Sequence, residues 1–164
     1  MDHRNGVIAV LAMALCLGCA SARWSIAKHF WDPGASFKTF PEAVSEEYDC
    51  ENQKKPFFLI EKNDLLPRKV AAGSDFGHRL VYIMCPNHST EVVEGRLSRR
   101  IRFKGAPILE KTDPIYELKP GRWAVNAIVH LPDEADPGIY AYELEFESKS
   151  LKFEKSLTFL VELP

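Results

Sequence analysis

The stretch whose reading decides the fold is LPDEADPGIYAYELEFE, Leu131–Glu147. Tyr140, Tyr142, Leu144 and Phe146 alternate in it with Glu143, Glu145 and Glu147. Apolar and charged residues alternating with period two mark a strand buried on one side only. The residues leading into it, Pro132 to Gly138, carry two prolines, a glycine and three acids, which is turn chemistry.

The same signals recur on both sides of this stretch. Arg122–Leu131 places Trp123, Val125, Ala127, Val129 and Leu131 on one face. Leu151–Leu163 places Phe153, Leu157, Phe159 and Val161 on one, with Lys155 as the exception. Upstream, Phe57–Glu61, Val92–Phe103 and the short Ile115–Leu118 read as strands, and HRLVYIMC, His78–Cys85, is apolar on both faces like a central strand. Turn residues separate them (AAGSDFG, CPNHS, KPG), and no helix-period stretch of useful length occurs. The chain reads as all-β, an antiparallel β-sandwich of about seven strands over 57–164, preceded by an irregular N-terminal segment.

Asp136, Gly138 and Tyr140 are spaced D-x-G-x-Y at the mouth of a strand. This resembles the corner before strand F of immunoglobulin-like folds, where a Tyr hydroxyl bonds back to upstream backbone. The form Leu-Pro-x-x-Ala-x-Pro-Gly-x-Tyr is similar to that of macroglobulin-type and other bacterial envelope sandwich domains. LLPRKVAAGSDFGHRLVYIMC resembles the way such domains open. The resemblance covers 57–164 and implies an immunoglobulin-like sandwich. It departs from the antibody type in having Tyr142 where a Cys would stand, and in lacking a Trp on strand C. Folds of this type host many functions, so none is implied.

Val7–Leu17 is an unbroken apolar run of 11 residues, too short to span a bilayer and suited to a signal-peptide core. Two cuts are open. Leu17-Gly18-Cys19-Ala20-Ser21 resembles the bacterial lipobox, which makes 1–18 the signal and Cys19 the lipidated first residue. Cys16 stands where Leu is usual. Ala20-Ser21-Ala22 is also an A-x-A site, which makes 1–22 the signal and Arg23 the first residue. Gly-Cys directly after an apolar run is the rarer coincidence and favours the lipoprotein. That reading implies an outer-membrane lipoprotein facing the periplasm, held by an N-terminal lipid anchor; the other implies a soluble periplasmic protein. Residues 23–56 read as a spacer, with a short helix in PEAVSEEY. Cys50 and Cys85 are then the pair left in an oxidising compartment, and a disulfide is expected.

The composition is 46% hydrophobic and 27% charged, with net charge −2, which is ordinary for a globular domain and gives no ground for a nucleic-acid partner. Arg96, Arg100, Arg102 and Lys104 share one parity on a strand and form a candidate face for an anionic partner. Cross-strand pairing with Glu143, Glu145 and Glu147 accounts for both rows and is the favoured reading. His78, Cys85 and His88 are poor metal ligands because His78 and Cys85 face opposite sides, and Asp133, Glu134 and Asp136 are already explained as a turn. No metal and no cofactor is expected. There is no G-x-S-x-G, H-E-x-x-H or P-loop, so the expectation is a non-enzymatic protein that binds or scaffolds an envelope protein or polymer. The alternative is a small-ligand or carbohydrate module using Trp24, Trp31 or Trp123.

Overall fold

A computed structural model describes residues 30–88 and 90–162. The signal segment, Cys19 and Trp24 lie outside them. Nine strands form two sheets: β1 (Phe30–Thr39), β2 (Phe57–Leu66), β3 (Lys69–Ala71), β4 (Asp75–Cys85), β5 (Val93–Phe103), β6 (Ala106–Leu118), β7 (Gly121–His130), β8 (Gly138–Glu147) and β9 (Lys152–Glu162). One sheet has the order β1-β7-β4-β2 and the other β3-β9-β8-β5-β6. All neighbours are antiparallel except β3 and β9. With β2, β4, β5, β7, β8 and β9 read as strands A, B, C, E, F and G, this is the immunoglobulin-like arrangement. β1 takes the place of strand D beside E.

β1 corrects the reading of 23–56 as a spacer. Its sequence, FWDPGASFKT, looks like turn chemistry because a bulge occupies Asp32-Pro33 and Gly34 sits at φ +101°. Bulges and prolines are tolerated on edge strands, and β1 is one. β6 is likewise longer than Ile115–Leu118, because its Pro107 and Pro114 also lie on a sheet edge.

The core fills the space between the sheets. From one side come Phe76, Leu80, Tyr82 and Met84 of β4 with Val125 and Val129 of β7; from the other, Leu97 and Ile101 of β5 with Tyr140, Tyr142, Leu144 and Phe146 of β8. Both faces of β4 are buried because a helix covers its end. Helix α1 (Pro41–Tyr48) starts with Pro at its first turn, has Glu42 near its positive end, and stops at Asp49 in the left-handed region. Its Val44 packs with Cys50, Ile83 and Cys85 in a second small core. The Cys50–Cys85 disulfide closes that core, with Cα atoms 6.0 Å apart. Gly121 is required where β1 turns into α1. It sits at φ +95°, and a Cβ there would stand 2.7 Å from the Thr39 carbonyl oxygen.

Candidate interaction surfaces

The basic row on β5 meets an acidic row on β8. Register sets Arg96 opposite Glu147 and Arg100 opposite Glu143. Arg96 bonds Glu147 at 2.6 Å, and Arg102 bonds Glu143 at 2.8 Å. Arg100 reaches diagonally to Glu145 and across to Glu110 on β6, both at 2.9 Å. Arg100 holds Glu145 below the usual carboxylate range. Lys104 lies in the β5–β6 turn at φ +50°, with Nζ 4.7 Å above the Phe103 ring. Three of the four cations of the candidate anionic-partner face are thus matched by carboxylates of the same sheet.

At the corner, the Tyr140 hydroxyl donates to the Asp136 carbonyl at 2.8 Å. Burial, then Asp136, pushes this hydroxyl up to about 12. Gly138, at φ +146°, lets the chain pass close to Phe103, whose ring would be 2.9 Å from a Cβ.

Between the sheets lies a polar cluster that strand parity hides. Arg99 shares the inward face of β5 with Leu97 and Ile101 and is 3% exposed. Its Nη1 donates to Asp32 at 3.3 Å, and Lys111 of β6 grips the same carboxylate oxygen. Arg99 Nε has no hydrogen-bond partner among the described residues. Beside it, His78 Nε2 is 2.7 Å from Asn63 Oδ1, and His78 Nδ1 is 3.2 Å from the Tyr142 hydroxyl. The consistent tautomer has Nε2–H donating to Asn63 and the Tyr142 hydroxyl donating to Nδ1. Burial, reinforced by the Arg99 charge, lowers the His78 pKa to about 4, so the ring is neutral near pH 7. Burial pushes the Tyr142 and Tyr116 hydroxyls up. His78 is inside the sandwich and Cys85 is in the disulfide, so neither joins His88. Among the described residues no group of three or more His, Cys, Asp or Glu side chains could hold a metal ion.

Among the described residues the exposed Trp and Phe side chains all lie at β1. Trp31 is 65% exposed, Phe37 40% and Phe40 68%, all within β1 or one residue past it. Phe37 packs edge-on against Phe40 at 4.8 Å and Trp123 at 5.3 Å. The Trp123 indole N–H donates to the Pro120 carbonyl at 2.8 Å, and Lys119 Nζ lies 5.3 Å over its ring. On the other side of α1, an open cleft of about 630 Å³ is bounded by Pro41, Glu42, Glu46, Asp49, Lys55 and Met84.

No family model matches the chain, and no curated protein matches it. Similar solved structures include a family 123 glycoside hydrolase from Clostridium perfringens, 13% identical, with TM-score 0.48, covering 82% of this chain and 28% of that one. A DNA-bound alkylpurine DNA glycosylase from Pseudomonas fluorescens is 12% identical, with TM-score 0.47, covering 64% of this chain and 30% of that one. A β-glucosidase from Listeria innocua is 13% identical, with TM-score 0.45, covering 66% and 16%. The chain therefore spans less than a third of these proteins. These neighbours correct the expectation of a non-enzymatic protein. At such identities and TM-scores no activity passes to this chain.

Proposed function

We propose that this is an exported bacterial envelope protein, lipid-anchored at Cys19, whose sandwich binds another envelope component along β1. The observation that carries the reading is the exposed aromatic edge of Trp31, Phe37 and Phe40. All four edges carry devices against strand addition: β6 has Pro107 and Pro114, β3 only three residues, β2 a bulge at Glu61 beside the Lys62–Asp64 ion pair, and β1 the Asp32-Pro33 bulge, so the contact along β1 is made by its aromatic side chains and not by backbone pairing. The macroglobulin-type likeness and the envelope address belong to this proposal. A photo-crosslinking residue at Lys38 should give a discrete adduct in cells, protein or lipid, that the same residue at Ile115 on β6 does not give. No adduct from position 38, or the same adduct from both, refutes the reading. Intact mass of the membrane-derived protein tests the anchor: a chain starting at Cys19 plus acyl groups supports it, and a chain starting at Arg23 refutes it.

A second reading, a small-ligand or carbohydrate module, is favoured by the cleft beside α1, whose volume falls within the range of small-molecule sites. Ser45→Trp, which fills the cleft, should abolish ligand binding under that reading and leave the adduct at position 38 unchanged.

A further inference from the structure

We infer that the component met by β1 is the surface of the lipid bilayer itself. This rests on β1 being the binding edge. Among the described residues the exposed Trp and Phe side chains are confined to the ten residues from Trp31 to Phe40. The other exposed large apolar residues, Leu59, Leu66, Ile115 and Ile139, are aliphatic and sit on β2, β6 and β8. Phe37 and Phe40 form one contiguous pair 4.8 Å apart and Trp31 stands on the other face of the same edge, so this edge carries aromatic surface on both sides, more than the scattered single residues normal on a soluble surface.

The chemistry of the edge fits lipid. Phe37 and Phe40 carry no hydrogen-bonding group, and the Trp123 indole N–H is already taken by the Pro120 carbonyl. A sugar or a polar peptide would find few donors on these rings. Trp31 lies opposite Ile128 and Phe37 opposite Trp123, so the two rings stand on different faces of the sheet with the free strand edge between them. A bilayer approached edge-on meets both. The unpaired backbone of the edge then sits at headgroup depth, where water still satisfies it. Lys38 and Lys119 flank the rings and can reach lipid phosphates, as basic residues beside interfacial aromatics do.

Connectivity points the same way. β1 is the first strand among the described residues, and Phe30 follows Cys19 by 11 residues. That linker extends to about 40 Å at most, so an anchor at Cys19 keeps the Phe30 end of β1 within that distance of the membrane. β1 is itself about 33 Å long and can lie along the surface.

The test uses the chain from Arg23 to Pro164, which keeps both sheets and the disulfide and carries no acyl group. It is floated with vesicles of equal parts phosphatidylethanolamine and phosphatidylglycerol. The wild-type chain should float, and Trp31→Ser with Phe40→Ser should lower the bound fraction about tenfold or more. Ile115→Ser with Ile139→Ser should leave it unchanged. Lys38→Glu with Lys119→Glu, which spares the aromatic rings, should also weaken binding to these vesicles. Melting curves establish that each variant is folded. Failure of the wild-type chain to float, or an equal loss in the Ile115 and Ile139 pair, overturns the inference. A protein adduct at position 38 without flotation overturns it too, while leaving the edge-binding reading in place.

Discussion

Acid should loosen this sandwich through His78. The ring is 3% exposed, and its pKa is lowered from 6.5 to about 4, first by burial and then by the Arg99 charge. Asp64 and Asp32 oppose that shift without cancelling it. Between these two pKa values the unfolded chain binds a proton at this site that the folded chain refuses. Stability therefore falls as pH drops from about 6.5 to about 4, and this group removes little more below that. The linkage relation gives a loss of about 1.4 kcal/mol at pH ~5.5 and about 3 kcal/mol at pH ~4, relative to neutral pH. Urea unfolding followed by tryptophan fluorescence at several pH values measures it. His78→Gln removes the titration but leaves the surface carboxylates, so the difference in slope between the two proteins isolates His78. The variant's curve should be flatter by about 3 kcal/mol across this window. Parallel curves would refute the reasoning, whatever the variant's absolute stability.

Tyr140→Phe should destabilise the protein by about 1 kcal/mol, the net worth of a hydrogen bond, and an unchanged melting curve would show that the bond to Asp136 contributes nothing. Glu145→Lys should destabilise more than Arg96→Glu. Glu145 is a partly buried partner of Arg100 and lies near Lys152, whereas Arg96 and Glu147 are half-exposed; equal melting temperatures would count against the ladder as a structural feature. Reductant should lower stability by roughly 4 kcal/mol in urea titration, the chain-entropy value for a disulfide spanning 35 residues. Asp32→Asn should cost about 2–4 kcal/mol because it leaves Arg99 buried without a counter-charge, while Arg99→Met should cost less, since Asp32 keeps Lys111. The reverse order in denaturant midpoints would show that Arg99 stabilises by its own packing.

The β-sandwich was legible because its central strands obey local rules. β8 alternates tyrosines and aliphatics with glutamates, and β7 and β9 repeat the pattern, so period two survives into the structure. The turn before β8 was legible for the same reason. Three edge strands were not: β3 is too short to show a period, β1 reads as spacer, and β6 shows only its last residues. Pro33, Pro107 and Pro114 break the local pattern, and only a neighbour on one side, supplied by tertiary pairing, makes them strands. The buried polar cluster was hidden by a choice of parity. The cations at 96, 100, 102 and 104 attract attention as a row, while Arg99 stands alone among Leu97 and Ile101 and gives no sign that it has an inward partner. That partner, Asp32, comes from a segment whose composition reads as linker.

These two failures have one source. The strand that local propensity rejects is the strand that supplies both the counter-charge for Arg99 and the exposed aromatic side chains. An arginine buried by β5 needs a carboxylate, and strand alternation turns Asp32 inward with Phe30 while Trp31 stays outside; the bulge at Asp32-Pro33 then shifts the parity of the rest of β1. The bulge thus fixes the register of the edge against β7 and sets Trp31 and Phe37 on opposite faces. Were β1 only a closing strand, its outward positions could be polar, as charged side chains on edges discourage unwanted pairing. Phe37 packs on Trp123 at the rim of the core that Phe30 serves, whereas Trp31 and Phe40 work against solubility and add nothing to that core. The contact proposed for this edge accounts for Trp31 and Phe40.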